Sequence, residues 1–138
     1  MGFDLDRFVR AQAAVYPEVV AELRAGRKTG HWIWFIFPQL DGLGRSERSR
    51  FYAIDSLDEA RAYLAHPILG PRLVECARLV TDVVDRSAPE ILGPIDAVKL
   101  RSSMTLFARA APHEPVFGAV LDRFYDGRPD PATEALLE

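Results

Sequence analysis

Cysteine is nearly absent: the chain of 138 residues has one, Cys76. Without an internal partner it builds no disulfide framework, which opposes a cross-linked secreted domain and fits a reducing, cytoplasmic compartment. Long apolar runs are lacking too. The longest, Trp32 to Phe37, falls far short of the ~20 residues that cross a bilayer, so no membrane association is expected. The opening Met1-Gly2-Phe3-Asp4-Leu5-Asp6-Arg7 carries acids and no apolar core, unlike a secretory signal. Excess positive charge is missing as well. A net charge of −3 argues against a protein that coats nucleic acid, which needs a basic face, yet it leaves room for a local basic pocket.

Several fingerprints are absent. No G-x-x-x-x-G-K-[ST] and no strand-linked G-x-G-x-x-G occurs, and Gly42 and Gly44 do not replace them. His31, His66 and His113 stand far apart, with no His-x₃-His or Cys-x₂-Cys, so no metal site and no cofactor are expected. Repeats, low-complexity tracts and linkers are missing. Hydrophobic residues at 49% and charged residues at 27% exclude disorder. Together these features predict one domain over 1–138, long enough to bury a core without a staple.

What is present is helical punctuation. Asp4 is placed to cap a first helix, and Pro17 and Gly26 bracket a second. Ser56 with Glu59, and Ser87 with Glu90, have capping-box spacing. A long helix is expected from Gly70-Pro71 to about Arg86, another from Asp96 to about Ala110, one from Pro115 to Gly127, and a last turn after Asp130-Pro131. The fold class is all-α, a compact multihelical orthogonal bundle of short helices. The run Trp32 to Phe37 reads equally as buried strand or buried helix by periodicity. A lone strand would leave its backbone groups without a ladder partner, so a short central helix is expected.

Three stretches look over-specified for packing. In Lys28-Thr29-Gly30-His31-Trp32-Ile33-Trp34, continuing to Gln39, two indoles with polar neighbours form an aromatic-walled pocket for a planar ring. The alternative is a core element whose ends His31 and Gln39 satisfy. In Asp96 to Phe107, Lys99, Ser102 and Ser103 share a helix face beside Arg101, suited to phosphate or carboxylate; small hydroxyls also serve close helix packing. In Tyr63 to Leu73, His66 precedes Pro67 in a link between helices, and Arg72 follows Pro71, better placed to meet an anion.

These three stretches, with Phe117 to Gly127, Asp130 and Thr133, resemble the DUF1810 family over essentially the whole chain. The resemblance implies a small multihelical bacterial domain without an established activity. A weaker likeness, of size, helical character and an aromatic-plus-polar pocket, links it to the helical NADAR proteins, associated with cleaving N-glycosidic bonds; that is analogy of fold, not of motif. The expected function is therefore binding or hydrolysis of a ribosylated or phosphorylated, nucleotide-like small molecule. Trp32 and Trp34 would stack the ring, Lys28, Gln39, Arg72, Lys99, Arg101, Ser102 and Ser103 would meet its polar groups, and His31 or Asp96 would handle the proton. The alternative is a non-catalytic interaction or accessory domain whose protein partner the sequence leaves unidentified.

Overall fold

Ten helices follow one another among the described residues, 2–138, of the computed structural model. They are α1 (Asp6–Ala13), α2 (Tyr16–Ala25), α3 (Ile33–Ile36), α4 (Glu47–Phe51), α5 (Leu57–Ala65), α6 (Leu69–Thr81), α7 (Ala88–Leu92), α8 (Pro94–Ala110), α9 (Pro115–Tyr125) and α10 (Pro131–Leu137). The fold is all-α, a bundle of short helices in which only α8 reaches 17 residues. α8 forms the axis, packed on α3, α5, α7, α9 and α10, while α6 closes the other side against α2, α5 and α9. A column of edge-on and tilted rings runs through the middle: Phe8 to Tyr63 at 5.0 Å, Tyr63 to Phe107 at 5.4 Å, Phe107 to Phe117 at 5.8 Å. Such pairs add to plain area burial through their quadrupoles.

Local chemistry explains most boundaries. Ser87 accepts from the Glu90 amide and Glu90 returns the bond to the Ser87 amide, a complete capping box. Gly26 ends α2 in the left-handed region at φ 73°, where a side chain would be strained. At Gly70 a Cβ would stand 2.1 Å from the Leu64 carbonyl oxygen, so glycine alone lets α5 and α6 meet this closely. Within the run at 32–37 a short helix forms as expected, α3, flanked by Trp32 and Phe37: the amides of Ile36 and Phe37 bond the carbonyls of Trp32 and Ile33 at 3.2 and 3.0 Å. The C-terminal Phe35 carbonyl accepts from buried Gln12 at 2.7 Å.

Four boundaries differ from expectation. Leu5 rather than Asp4 stands at the start of α1, without a side-chain cap; the Asp4 carbonyl instead accepts from Arg7. The helix from Gly70 stops at Thr81, not Arg86; Asp85, further on, turns left-handed at φ 59°, and Val84 stands 74% exposed outside the core. α8 opens at Pro94 behind Gly93, so Asp96 lies inside the first turn and does not cap it. The Ser56 box is half made. Ser56 accepts from the Glu59 amide, but Glu59 turns to the Asp55 amide at 2.6 Å and to Arg7 at 3.1 Å.

One further element had no reading in the sequence. Leu40 and Ile54 form an isolated parallel bridge, with the Asp41 amide on the Ile54 carbonyl and the Ile54 amide on the Gln39 carbonyl, both at 2.8 Å. The bridge pins both ends of the excursion that carries α4. No helix among the described residues is long and apolar enough to cross a membrane.

Candidate functional site

The segment 28–34 meets the first turns of α8 at a cleft of about 350 Å³, lined by Lys28, His31, Trp34, Asp96 and Lys99 over an apolar floor at Leu92 to Ile95. The lysine loop is held from behind. The Lys28 amide bonds the Ile91 carbonyl of α7 at 2.8 Å. Glu22 Oε1 accepts from the Thr29 amide at 2.7 Å, the Gly30 amide at 2.8 Å and the Trp32 indole at 3.0 Å. Partial burial alone would raise the Glu22 carboxyl, but these donors outweigh it and hold the group below its ordinary value. The loop is thus tied down by a carboxylate whose lone pairs face inward.

Charge in the cleft is arranged around two indoles. Lys28 Nζ lies 2.8 Å from Asp96 Oδ2 and donates to the Gly30 carbonyl at 2.6 Å, with 8% and 18% of the two side chains exposed. Asp96 occupies the first turn of α8, where the helix dipole favours an anion. Lys99, one turn on, is 3.9 Å from Asp96 Oδ1, a loose contact that leaves ammonium donors free. Lys28 sits 5.1 Å over Trp32 and Lys99 5.1 Å over Trp34, within cation–π range. Trp34 keeps its buried Nε1 without a hydrogen-bond partner. His31 is exposed at the mouth. The arrangement offers a ring face, a free ammonium and a carboxylate already held by a second ammonium.

The other candidate residues lie elsewhere. Trp32 is 2% exposed and its indole serves Glu22, so it backs the cleft and does not line it. Gln39 is half-buried and contributes its carbonyl to Ile54. Ser102, buried, pairs with Thr133 at 2.9 Å, and Thr133 in turn donates to Asp130 at 2.6 Å. Arg101 donates to the carbonyls of Arg128 and Pro129, each at 3.0 Å. These groups dock the C-terminal segment. Ser103 is fully buried with no partner for its hydroxyl.

Arg72 belongs to a separate polar cluster that runs from buried Gln12 and Tyr63 out to exposed Glu75. Its guanidinium donates to Gln12 at 3.3 Å and lies 4.5 Å over Tyr16. Gln12 also donates to Tyr63 at 3.1 Å, and Tyr16 donates to Glu75. Burial, joined by the Glu75 bond, drives the Tyr16 phenol far above its ordinary value. Burial likewise pushes the Cys76 thiol up to about 12, so at neutral pH it is no nucleophile. His66 caps α6, its Nδ1 accepting from the Ile68 and Leu69 amides at 3.1 and 3.3 Å. Among the described residues no group of three or more His, Cys, Asp or Glu is placed to hold a metal.

Two contributors escaped the sequence. Glu22, on α2, has no motif around it in the sequence that marks it as the anchor of the 29–32 loop. Arg48, on α4, reaches 5.1 Å over Trp34; the cluster Arg45, Arg48, Arg50 was the available signal.

No curated protein matches the chain. A solved structure of a conserved hypothetical protein from Mycobacterium tuberculosis is similar at 60% identity and a TM-score of 0.97, over 98% of this chain and 96% of that one. The profile described as "Protein of unknown function (DUF1810)" matches residues 2–137. The chain belongs to the DUF1810 family.

Proposed function

We propose that the cleft between residues 28–34 and the start of α8 binds an anionic small molecule carrying a flat ring, of the phosphorylated or nucleotide-like kind. One observation carries this reading: two segments distant in sequence bring Lys28, Trp34, Asp96 and Lys99 to a single opening. Its volume of about 350 Å³ falls at the small end of ligand pockets, enough for one ring system and one charged group. Trp34 offers its face, Lys99 its free donors, and Lys28 with Asp96 a rigid dipolar wall. Asp96 is the one carboxylate among the lining residues and is engaged by Lys28. Hydrolysis of an N-glycosidic bond would use it against the positive charge that develops on the sugar, while water adds to the anomeric carbon and the base leaves with a proton, for which His31 at the mouth is the candidate carrier.

The test is a thermal-shift panel of ADP-ribose, NAD, nucleotides, flavins and sugar phosphates, with product analysis of any riboside that binds. Ligand at about a hundred times its dissociation constant adds roughly 2.7 kcal/mol, several degrees in a chain of this length. A shift in the wild type that vanishes in Lys99→Ala supports the site. No shift across the panel, with Lys99→Ala as stable as its parent, overturns it.

The rival is an interaction domain, favoured by Ile95 and Val98, which stand 72% and 63% exposed on one face of α8 beside the cleft. It predicts that Val98→Ser, outside the cleft lining, weakens association with a partner while leaving every ligand shift intact.

A further inference from the structure

The charges around Trp34 do not balance. Asp96 lies 2.8 Å from Lys28 and so neutralises it, while its contact with Lys99 is 3.9 Å. Arg48 makes no ion pair and donates no hydrogen bond among the described residues, yet its guanidinium rests 5.1 Å over the indole that Lys99 also covers at 5.1 Å. Three cations, Lys28, Lys99 and Arg48, thus stand near one carboxylate, an excess of two positive charges beside Trp34 in a chain whose net charge is −3. A cation–π contact at an exposed site is worth only about 0.5–1 kcal/mol.

The carrier of Arg48 is equally unusual. α4 (Glu47–Phe51) contains no buried residue, so burial does not account for where it sits. It is positioned from outside. The Leu40–Ile54 bridge pins the excursion, Arg7 donates to the Phe51 and Ala53 carbonyls at 2.9 and 2.8 Å, and Ser46 caps the helix. At Gly44 a Cβ would fall 2.3 Å from Ser49 Cβ, so glycine permits the tight fold-back of the loop. The result is an exposed arginine presented to Trp34 on a short, externally tethered support.

We infer that Arg48, which stands outside the cleft lining but against its Trp34 edge, is an anion-binding residue and that, with Lys99, it selects a dianionic phosphate ester over a singly charged group. This rests on the cleft reading above. Two uncompensated positive charges match the ~1.5–2 negative charges of a phosphate monoester at neutral pH. A guanidinium fork presents paired donors to two phosphate oxygens, which the lysine ammonium does not. The ring to which the phosphate is attached meets the apolar floor at Leu92 to Ile95, with Trp34 at its side. The ligand class is a compact aromatic phosphomonoester, with the phosphate beside Lys99 and Arg48 and the ring on the apolar floor next to Trp34.

The experiment follows the two indole N–H signals in ¹⁵N-resolved NMR, since the chain has only Trp32 and Trp34. Trp34 reports on the cleft; Trp32, bonded to Glu22, is the internal reference. The probes are phenyl phosphate and benzenesulfonate at pH 7.5 and constant ionic strength, the same ring with two charges or one. Phenyl phosphate is expected to move the Trp34 signal with a midpoint about tenfold lower than benzenesulfonate. Arg48→Ala is expected to raise the phenyl phosphate midpoint about tenfold and erase the preference, and Arg48→Lys to restore part of it. Equal midpoints for the two probes, an Arg48→Ala protein that binds phenyl phosphate as the wild type does, or a Trp34 signal that neither probe moves would each overturn the inference. The ligand panel of the preceding section judges the cleft separately, so a ligand shift there with equal midpoints here leaves the cleft standing and removes only the dianion preference.

Discussion

The two halves of α8 share one chemistry and use it in opposite ways. Asp96 and Lys99 in the first turns, and Arg101, Ser102 and Thr105 in the middle, are all polar residues on one helix. At the N-terminal half the partners come from residues 28–34, which bring one lysine for one carboxylate and leave Lys99 with spare donors at a cleft. At the middle the chain returns. Residues 128–133 lie along the helix, and Arg101, Ser102 and Thr105 are saturated by the Arg128 and Pro129 carbonyls, the Thr133 hydroxyl and the Asp130 amide. A polar group on a helix becomes available for a ligand only where no other segment of the chain arrives to satisfy it.

Substitutions can break this contrast, most forcefully at Lys28, which serves both packing and cleft. Lys28→Ala leaves Asp96 without its close cation and should destabilise the fold by about 3 kcal/mol, measured by urea denaturation. The double change Lys28→Met with Asp96→Leu should recover most of that loss. A Lys28→Ala protein as stable as its parent would show that the pair is not structural.

Next comes Glu22, which orders the cleft loop from behind. Glu22→Gln weakens three charge-assisted bonds and should cost about 2 kcal/mol at neutral pH. The Glu22 carboxyl is held below its ordinary value of 4.5 in the folded protein. Its contribution is therefore fully present above that value and is lost as pH falls through the lowered folded value. Stability of the wild type measured from pH 7 downward should fall more steeply below about 4.5 than that of Glu22→Gln.

The middle of α8 gives a smaller effect. Thr133→Val strands the Ser102 hydroxyl in a buried site and should cost about 1–2 kcal/mol, with no change in the midpoint of any cleft ligand. A shift in ligand midpoint would mean that the two halves of the helix are coupled. The smallest stability effect is expected at Lys99. Its partly exposed contact with Asp96 is worth less than about 1 kcal/mol, so Lys99→Ala should unfold almost with the wild type while losing ligand binding.

Reading the sequence went furthest where the physics is local. Pro17 with Gly26, Ser87 with Glu90 and Asp130 with Pro131 set helix ends through bonds to neighbours a few residues away, and these stand as expected. Reading failed where the deciding partner is remote. Ser102 and Arg101 carry the same residue types as a phosphate site, and only the return of residues 128–133 distinguishes a dock from a pocket. Trp32 and Trp34 are alike in composition and two residues apart, yet one is sealed at 2% exposure against Glu22 and the other borders the cleft. The short helix at 33–36 does not reveal which side its neighbours will cover. α4 was illegible because its position comes from Arg7 and the Leu40–Ile54 bridge, not from an apolar stripe of its own.

The sequence by itself determined the all-helical class and most helix starts; of the three stretches it singled out, 28–40 and 96–107 contribute to the cleft, 63–72 does not, and the floor at Leu92 to Ile95 lies outside all three. Caps, prolines and apolar spacing act within a turn or two of the chain, so they are written in the order of the residues. Only the tertiary structure decided that Lys28, Trp34, Asp96 and Lys99 share one opening, that Arg101 and Ser102 do not, and that Arg48 reaches the same indole. Burial and pairing depend on which distant segment packs against a side chain, and that is settled by the folding of the whole core.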